Sequence, residues 1–492
     1  MSTMRNSSSA LQTKRSARPE DERLPLFQNL GYGLQHVLTM YGGIIAPPLI
    51  IGTAAGLTEA EIGVLIASCL FVGGLATILQ TVGIPFFGSQ LPLVQGVSFA
   101  GVATMISILE GGGNIRTIFG AVIAASVIGL LITPIFSRII RFFPPVVAGT
   151  VITTIGLTLM PVAAGWTMGG NAKAADHGSV ANLGLAAVTL LFVLVFSKIP
   201  VAAISRLSIL LAMVAGTIVA AISGMADFSS VFSGQYFAVP TPFAFGMPEF
   251  QFAAIASMVI VILVTLTETS ADIIAVGEIV ETKTDAKRIG DGLRADMISS
   301  AISPIFNSFT QSAFAQNVGL VAITGVKSRF VVTAGGGILI VLGLLPILGR
   351  FVAAIPTPVL GGAGIVLFGT VAASGIRTLS TVKYEGNMNL VIVATAIGFG
   401  MFPIVAPSIY DQFPDWFVTI FHSGISSSAI MAILLNLLFN HLKLGKNKPV
   451  SVMAEASSRR VSSLLLESLR DGDHVTDGKL FDDKDREVPC DK

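Results

Sequence analysis

The chain has 492 residues, of which 52% are hydrophobic and only 12% charged, about half the charged share of an ordinary soluble domain. So few charges cannot cover the wet surfaces of the several soluble domains that this length would form, and a net charge of +1 gives no support to nucleic acid or another polyanion as a partner. Two cysteines, Cys69 and Cys490, supply neither a disulfide framework nor a zinc spacing.

Residues 1–23 read as a polar tail without a cleavable signal peptide, because the first apolar run starts only after Arg23 and is too long. Charge-free windows then follow at 24–58, 62–109, 117–137, 142–172, 178–197, 207–226, 250–267, 297–326, 330–349, 351–376, 386–410 and 416–442. A spanning helix needs about 20 mostly apolar residues, so 62–109 holds two spans, and hydropathy supports about 12 to 14 in all. Strands of an outer-membrane barrel would alternate instead of running apolar throughout. Window 142–172 predicts one span and a Gly-rich loop from Ala164 to Gly170, and 228–248 predicts a loop outside the bilayer. Residues 443–492 hold 10 basic and 10 acidic residues and no apolar core, which predicts disorder or a short surface helix from Val461 to Leu469.

With 14 spans and a cytoplasmic N-terminus, the inner loops carry Arg138, Arg141, Lys198, Arg206, Lys283, Lys287, Arg288, Arg294, Lys327, Arg329, Arg377 and Lys383, against Arg116, Lys173 and Arg350 outside. That division satisfies the positive-inside rule and places both tails in the cytoplasm.

Two windows differ from plain spanning helices. Leu91 to Ala100 and Phe309 to Gly319 place amides, hydroxyls and glycines at membrane depth, each third in order if the chain divides into two sets of seven near residue 240. Interrupted polar segments at matching positions of two halves point to a transporter site; polar contacts between helices would use the same residue types. Glu268 follows an 18-residue apolar window, and Asp272 lies one turn later on the same helix face. A carboxylate inside the bilayer is costly and marks a functional site, unless the helix has already ended and both acids belong to a loop. Asp296 reads as a charge at a helix N-terminus or the start of a proton path. His36 in the first span reads as a hydrogen-bonded packing residue, and the glycines at 111–113 and 335–337 as a loop and a packing face. No nucleophile–base triad, phosphate loop or metal cluster is apparent, which argues against an enzyme.

The run Gln316-Asn317-Val318-Gly319 through Thr324, followed by Ser328-Arg329, resembles the signature of the nucleobase–ascorbate transporter family. Gln35-His36, Ser98-Phe99, the pair Glu268 and Asp272, and Arg294-Ala295-Asp296 match its other elements in order, over roughly residues 24–442. The resemblance is greatest to bacterial xanthine and urate permeases. It implies an all-α polytopic membrane protein with 14 transmembrane segments in a 7+7 inverted repeat, a core of segments 1–4 and 8–11, a gate of segments 5–7 and 12–14, and short strands in segments 3 and 10. It also implies a homodimer in the cytoplasmic membrane, alternating access, and H⁺ as the coupling ion with no other cofactor.

Carried onto this sequence, the resemblance implies that Glu268 accepts hydrogen bonds from ring N–H groups of a purine and that Gln316 pairs with the other edge. The backbone at Phe99 and Ala315 would complete the edge contacts, and Phe99 and Phe314 would flank the ring. Asp296, His36 and Asp272 would support proton coupling, and Asn317 the strand geometry. Gln316 stands where uracil permeases usually carry Glu, and Ser98 where a small polar side chain tunes xanthine against urate. The expected substrate is xanthine and/or urate, with a uracil permease or an uncoupled facilitator of the same fold as the alternative.

Overall fold

The computed structural model describes residues 18–135, 144–229, 231–232, 235–385 and 387–442, and three short tail strands at His474–Thr476, Lys479–Phe481 and Glu487–Val488. These strands form a small antiparallel sheet in a tail where the sequence predicted none. The surface helix expected at Val461 to Leu469, and Arg138, Arg141 and Cys490, lie outside the described residues. By contacts the chain forms two units, Met1–Val382 with Ile392–Leu444, and Lys383–Val391 with Gly445–Lys492.

The first set of seven segments starts with α1 (Leu26–Ala54) and α2 (Glu59–Val82). Thr58 opens α2 with a capping box: its hydroxyl accepts from Glu61 N while the Glu61 carboxylate accepts from Thr58 N. The third segment is a strand, β1 (Gln95–Val97), that turns at Phe99–Gly101 into the short α3 (Val102–Glu110). Then come α4 (Ile115–Ile132), α5 (Pro145–Thr158) continued by α6 (Met160–Thr167), α7 (Val180–Lys198), the one-turn α8 (Ala202–Arg206) and α9 (Ser208–Ile222).

The second set repeats the order: α10 (Phe252–Val280), α11 (Ala286–Ile302), then β2 (Gln311–Ala313) leading into α12 (Ala315–Thr324). It continues through α13 (Arg329–Gly343), α14 (Pro346–Ala353), α15 (Thr357–Leu379), α16 (Asn389–Val405), α17 (Asp415–Phe421) and α18 (Gly424–Asn436). The protein is thus an all-helical multi-pass membrane protein of two seven-segment repeats. Eight of its described helices are long and apolar enough to cross a bilayer singly, and α13 and α14 form a span bent by 78° where Pro346 cannot continue the hydrogen-bond ladder of α13. Large apolar side chains such as Leu131, Val180, Ile222 and Ile376 remain exposed, as they must where the surface meets lipid.

Three local expectations change. The Gly-rich loop begins at Gly169 rather than Ala164, because Met160–Thr167 stays helical. The ninth segment starts at Ala286, eleven residues before its charge-free window, and the charges at its start are absorbed by local partners: Arg294 by Asp291, and Arg288 by Glu20 and Ser89 O. Residues 18–23 are not a free tail. Glu20 is fully buried and pairs with Arg288 at 2.6 Å, Asp21 pairs with Arg329 at 2.7 Å, and Glu22 O accepts from Ser328 Oγ.

The packing separates two groups of segments. α13 packs on α2 and α1, and α10 and α11 pack on α4; in the other group α15 packs on α5, α6 and α7, and α18 on α5. Glycine permits the closest approach: a Cβ at Gly74 of α2 would lie 2.5 Å from Gly336 O of α13, so this crossing tolerates no side chain there.

The two strands meet within the first of these groups, packed on α1, α2, α10 and α11. β1 and β2 pair antiparallel, with Gln95 opposite Ala313 and Val97 opposite Gln311. A two-stranded sheet has two open edges, and in a bilayer neither can turn to bulk water. Hydroxyls close both. Thr77 of α2 accepts from Gln95 N at 2.9 Å and donates to Gln95 O, while Ser300 of α11 accepts from Gln311 N at 2.8 Å and donates to Gln311 O. The second and ninth segments correspond in the repeat, so the same solution occurs twice.

Candidate substrate-binding site

Each strand hands over to a half-helix whose N-terminus points at the middle of the molecule, and a 660 Å³ cavity lies against both. Its walls come from the β1–α3 turn at Ser98 and Phe99, the β2–α12 turn from Ser312 to Gln316, α10 at Glu268 and Asp272, and α15 from Thr370 to Arg377. Open backbone at a helix start offers donor groups and a positive dipole end, which suits the polar edge of a planar heterocycle.

α10 runs unbroken from Phe252 to Val280, so neither Glu268 nor Asp272 belongs to a loop. Both carboxylates line the cavity. Glu268 makes no hydrogen bond or ion pair with any described residue, and Asp272, 9% exposed, has an unpartnered Oδ2. Gln316, in the first turn of α12, is exposed to the cavity, and its amide has no partner among the described residues. Two carboxylates, one amide and two turns of open backbone therefore face one space with their hydrogen-bonding capacity unspent, an arrangement that costs free energy unless a ligand or water completes it.

The aromatic residues occupy different positions. Phe99 is half-buried and meets Phe368 edge-on at 6.2 Å, and Phe368 packs on Trp166. Phe314 is 4% exposed and its ring is clamped between glycines: a Cβ at Gly43 or at Gly96 would come within 2.7 Å of it. Phe314 and Phe99 both line the cavity, and Phe99 is the less buried of the two. Ala315 contributes its backbone at the start of α12. Ser98 is buried, and its hydroxyl accepts from Ala100 N at 3.2 Å, capping the turn that carries Phe99.

Asp296, His36 and Asn317 stand behind the cavity rather than in it. Asp296 is neither at a helix N-terminus nor exposed: it lies ten residues into α11 and is 1% exposed. It accepts from Thr269 Oγ1 at 2.6 Å and from Gln80 Nε2 at 3.5 Å, and Thr269 Oγ1 in turn accepts from Ala313 N of β2. His36 is buried in α1, and Asn317 Nδ2 reaches both its ring Nδ1, at 3.1 Å, and its backbone oxygen, at 2.9 Å. Asn317 thus ties the half-helix α12, which follows β2 directly, to α1.

Sequence reasoning missed three contributors. Thr77 and Ser300 are ordinary hydroxyls in apolar helices, and only their partners reveal them. Arg377 reads from charge mapping as a loop cation, yet it sits in the last turn of α15 and lines the cavity. Its spacing of seven from Thr370, two turns of one helix face, was the available signal.

The chain resembles known proteins along most of its length. Residues 27–409 match the Permease family model. The uric acid transporter UacT of Escherichia coli is 40% identical over 411 residues, 83% of this chain and 85% of that one. The xanthine permease of Bacillus subtilis is 37% identical over 435 residues, 88% of this chain and 98% of that one. Among solved structures, the transmembrane domain of the cyanobacterium bicarbonate transporter BicA superposes with a TM-score of 0.53 at 16% identity, over 84% of this chain and 97% of that one. The murine Solute Carrier 26 family anion transporter in its inward-facing state gives 0.56 at 13% identity, over 88% and 73%. At such identities the structural likeness concerns the fold alone.

Proposed function

The chain belongs to the nucleobase–ascorbate transporter family, and on that premise we propose that it takes up a purine base, xanthine or urate, across the cytoplasmic membrane together with protons. It is a permease rather than an enzyme. The observation that carries the reading is the pairing of Glu268 and Gln316, two side chains without partners among the described residues, on one cavity between the strand-led half-helices. Glu268 accepts from a ring N–H, through its carbonyl oxygen while it carries the coupling proton, and the Gln316 amide supplies both a donor and an acceptor to the opposite edge. The faces of the ring meet Phe99 and Phe314. A site built for specific N–H groups rejects analogues without them, because its buried partners are left unpaired.

The same geometry supports alternating access. The group of segments 1–4 and 8–11 acts as a core that carries the substrate, and segments 5–7 and 12–14 as the gate against which it moves. From Glu268 the cavity follows α10 to Ile279, α12 to Ala322 and α15 to Arg377, the ends that adjoin the basic loops. With both termini cytoplasmic, as the distribution of Lys and Arg favours, this is an inward-open state. A carboxylate on the core that is protonated when substrate binds and deprotonated on release couples the two fluxes, and Glu268 is placed for it. The functional unit is a homodimer.

The test is uptake of labelled xanthine and urate in cells lacking their own permeases, with and without a protonophore. Accumulation that the protonophore abolishes is expected for the intact protein. Glu268→Gln should reduce accumulation at least tenfold while the protein still reaches the membrane. Undiminished accumulation in that variant would remove Glu268 from the mechanism. Uptake of uracil alone, or uptake that equilibrates without accumulating, would favour the uracil or uncoupled reading.

A further inference from the structure

A second cavity, of about 250 Å³, adjoins the main one on the neighbouring face of α12, at Gln316, Gly319, Leu320 and Ile323. It shares Phe314, Gln316, Gly319 and Thr370 with the main cavity, so the first turns of the half-helix form the wall between the two. Its remaining walls come from α1, α9 and α15, and apolar groups such as Met40, Ile209 and Leu367 dominate them. One cation enters it, Arg206, at the end of α8.

Arg206 differs from the arginines that tie neighbouring segments together. Arg288, Arg329 and Arg350 each place their guanidinium on carbonyls or carboxylates of neighbouring segments. Arg206 is half-buried and makes no hydrogen bond or ion pair among the described residues. The two hydroxyls beside it are spent within their own helices: Thr39 donates to Gln35 O and Thr370 to Leu367 O. The unspent hydrogen-bonding side chains of this cavity are therefore a guanidinium and the Gln316 amide, set among apolar walls.

We propose that this second cavity is a release subsite that takes the anionic, deprotonated form of the transported heterocycle, with Arg206 as its counter-charge. The proposal rests on the purine reading above and deepens it. Apolar walls suit a flat ring, and a planar guanidinium offers parallel N–H groups to the oxygen and nitrogen of a deprotonated edge. The two cavities also differ in charge. In the main one a monoanion meets Glu268 and Asp272 with Arg377 as the one cation on the wall, and once the coupling proton leaves, the two carboxylates outnumber that cation and repel the anion. On the neighbouring face of α12 it meets Arg206 with no carboxylate on the same walls. Gln316 touches both spaces, so a ring can be passed across it without losing that contact. Arg206 adjoins the basic loops, which places the subsite on the way out.

Urate and xanthine separate the charge from the ring, because at mildly acidic pH urate is an anion while xanthine is neutral. Binding of each is measured by calorimetry on the purified full-length protein and on Arg206→Gln and Arg206→Lys, with the unfolding midpoint of each variant recorded. Arg206→Gln is expected to weaken urate roughly tenfold, the scale of one lost charge-assisted contact, to leave xanthine within about twofold, and to leave the midpoint unchanged; Arg206→Lys should recover most of the loss. Equal weakening of both ligands, a lowered midpoint that accounts for the loss, or no change in either overturns the subsite. If the unaltered protein binds neither purine, the reading of the substrate itself fails and this inference with it.

Discussion

Thr269 has two jobs for one hydroxyl. It donates to Asp296 at 2.6 Å and accepts from Ala313 N at 3.4 Å, so a buried carboxylate on α11 is connected to the backbone of β2, one residue before Phe314. Asp296 acts on the site through this contact and not by reaching the cavity. Thr269→Val keeps the shape of the side chain and removes both bonds, leaving Asp296 Oδ2 and a strand amide without partners and the carboxylate with Gln80 alone at 3.5 Å. Each such loss costs about 1–3 kcal/mol where no water can replace it. Initial uptake rate should fall at least tenfold with a lowered unfolding midpoint, and Thr269→Ser should restore both. Full activity in Thr269→Val would show that Asp296 needs no link to the strand. At this scale the sequence announced the unusual residue types and not their partners. Glu268 is conspicuous because a charge at membrane depth is rare, whereas Thr269 beside it looks like any hydroxyl that bonds its own helix. Asp296 misled for the opposite reason. Its neighbours Asp291 and Arg294 made the segment look wet, yet they consume each other and Phe86 O at the surface while the helix continues inward.

At the scale of elements, the strand pair explains why two polar windows interrupt an apolar chain. Each supplies an extended backbone, and each requires a hydroxyl from a neighbouring helix to close its outer edge. Ser300→Ala removes the group that both accepts from Gln311 N and donates to Gln311 O. It should lower the unfolding midpoint and cost uptake, because β2 positions Phe314 and Gln316 directly; Ser300→Thr should be milder. Thr77 serves Gln95 in the same way, so the two sites should respond alike. A silent Ser300→Ala, measured by both readouts, would mean the edge is satisfied by another route. The strands themselves were legible from Gly, Gln and Ser in windows bounded by apolar helices. The closure of their edges was not, since Thr77 lies 18 residues from Gln95 and Ser300 lies 11 from Gln311 across a change of direction. The N-terminal segment escaped for a related reason: Glu20 looks like tail polarity until Arg288, 268 residues away, neutralises it.

At the scale of the whole molecule, charge mapping was enough to count segments and to separate basic ends from the others, because a bilayer excludes charge whatever the details of packing. It could not show which ends meet. In the structure the cavity extends toward the basic-loop end, while at the other end the two groups of segments touch through polar contacts. Thr104 of α3 and Ser423, which caps α18, share a hydrogen bond of 2.8 Å, and both are buried. Ser107 and Ser257 both donate to Thr419 O of α17, and His422 lies 3.4 Å from Glu110. Hydroxyl pairs of this kind are weak individually, about 1 kcal/mol or less in a membrane protein, and so can be exchanged for others without a large barrier. If the core moves against the gate, this seam must open whenever the cavity faces outward. Thr104→Cys with Ser423→Cys places two sulfurs where two oxygens now touch, close enough for a disulfide. In a background lacking Cys490, and with Cys69 fully buried, oxidation should stop uptake almost completely and a reductant should restore it, while each single cysteine variant remains active under oxidant. Unimpaired uptake by fully cross-linked protein would place the moving interface elsewhere, and with it the division of the chain into a core and a gate.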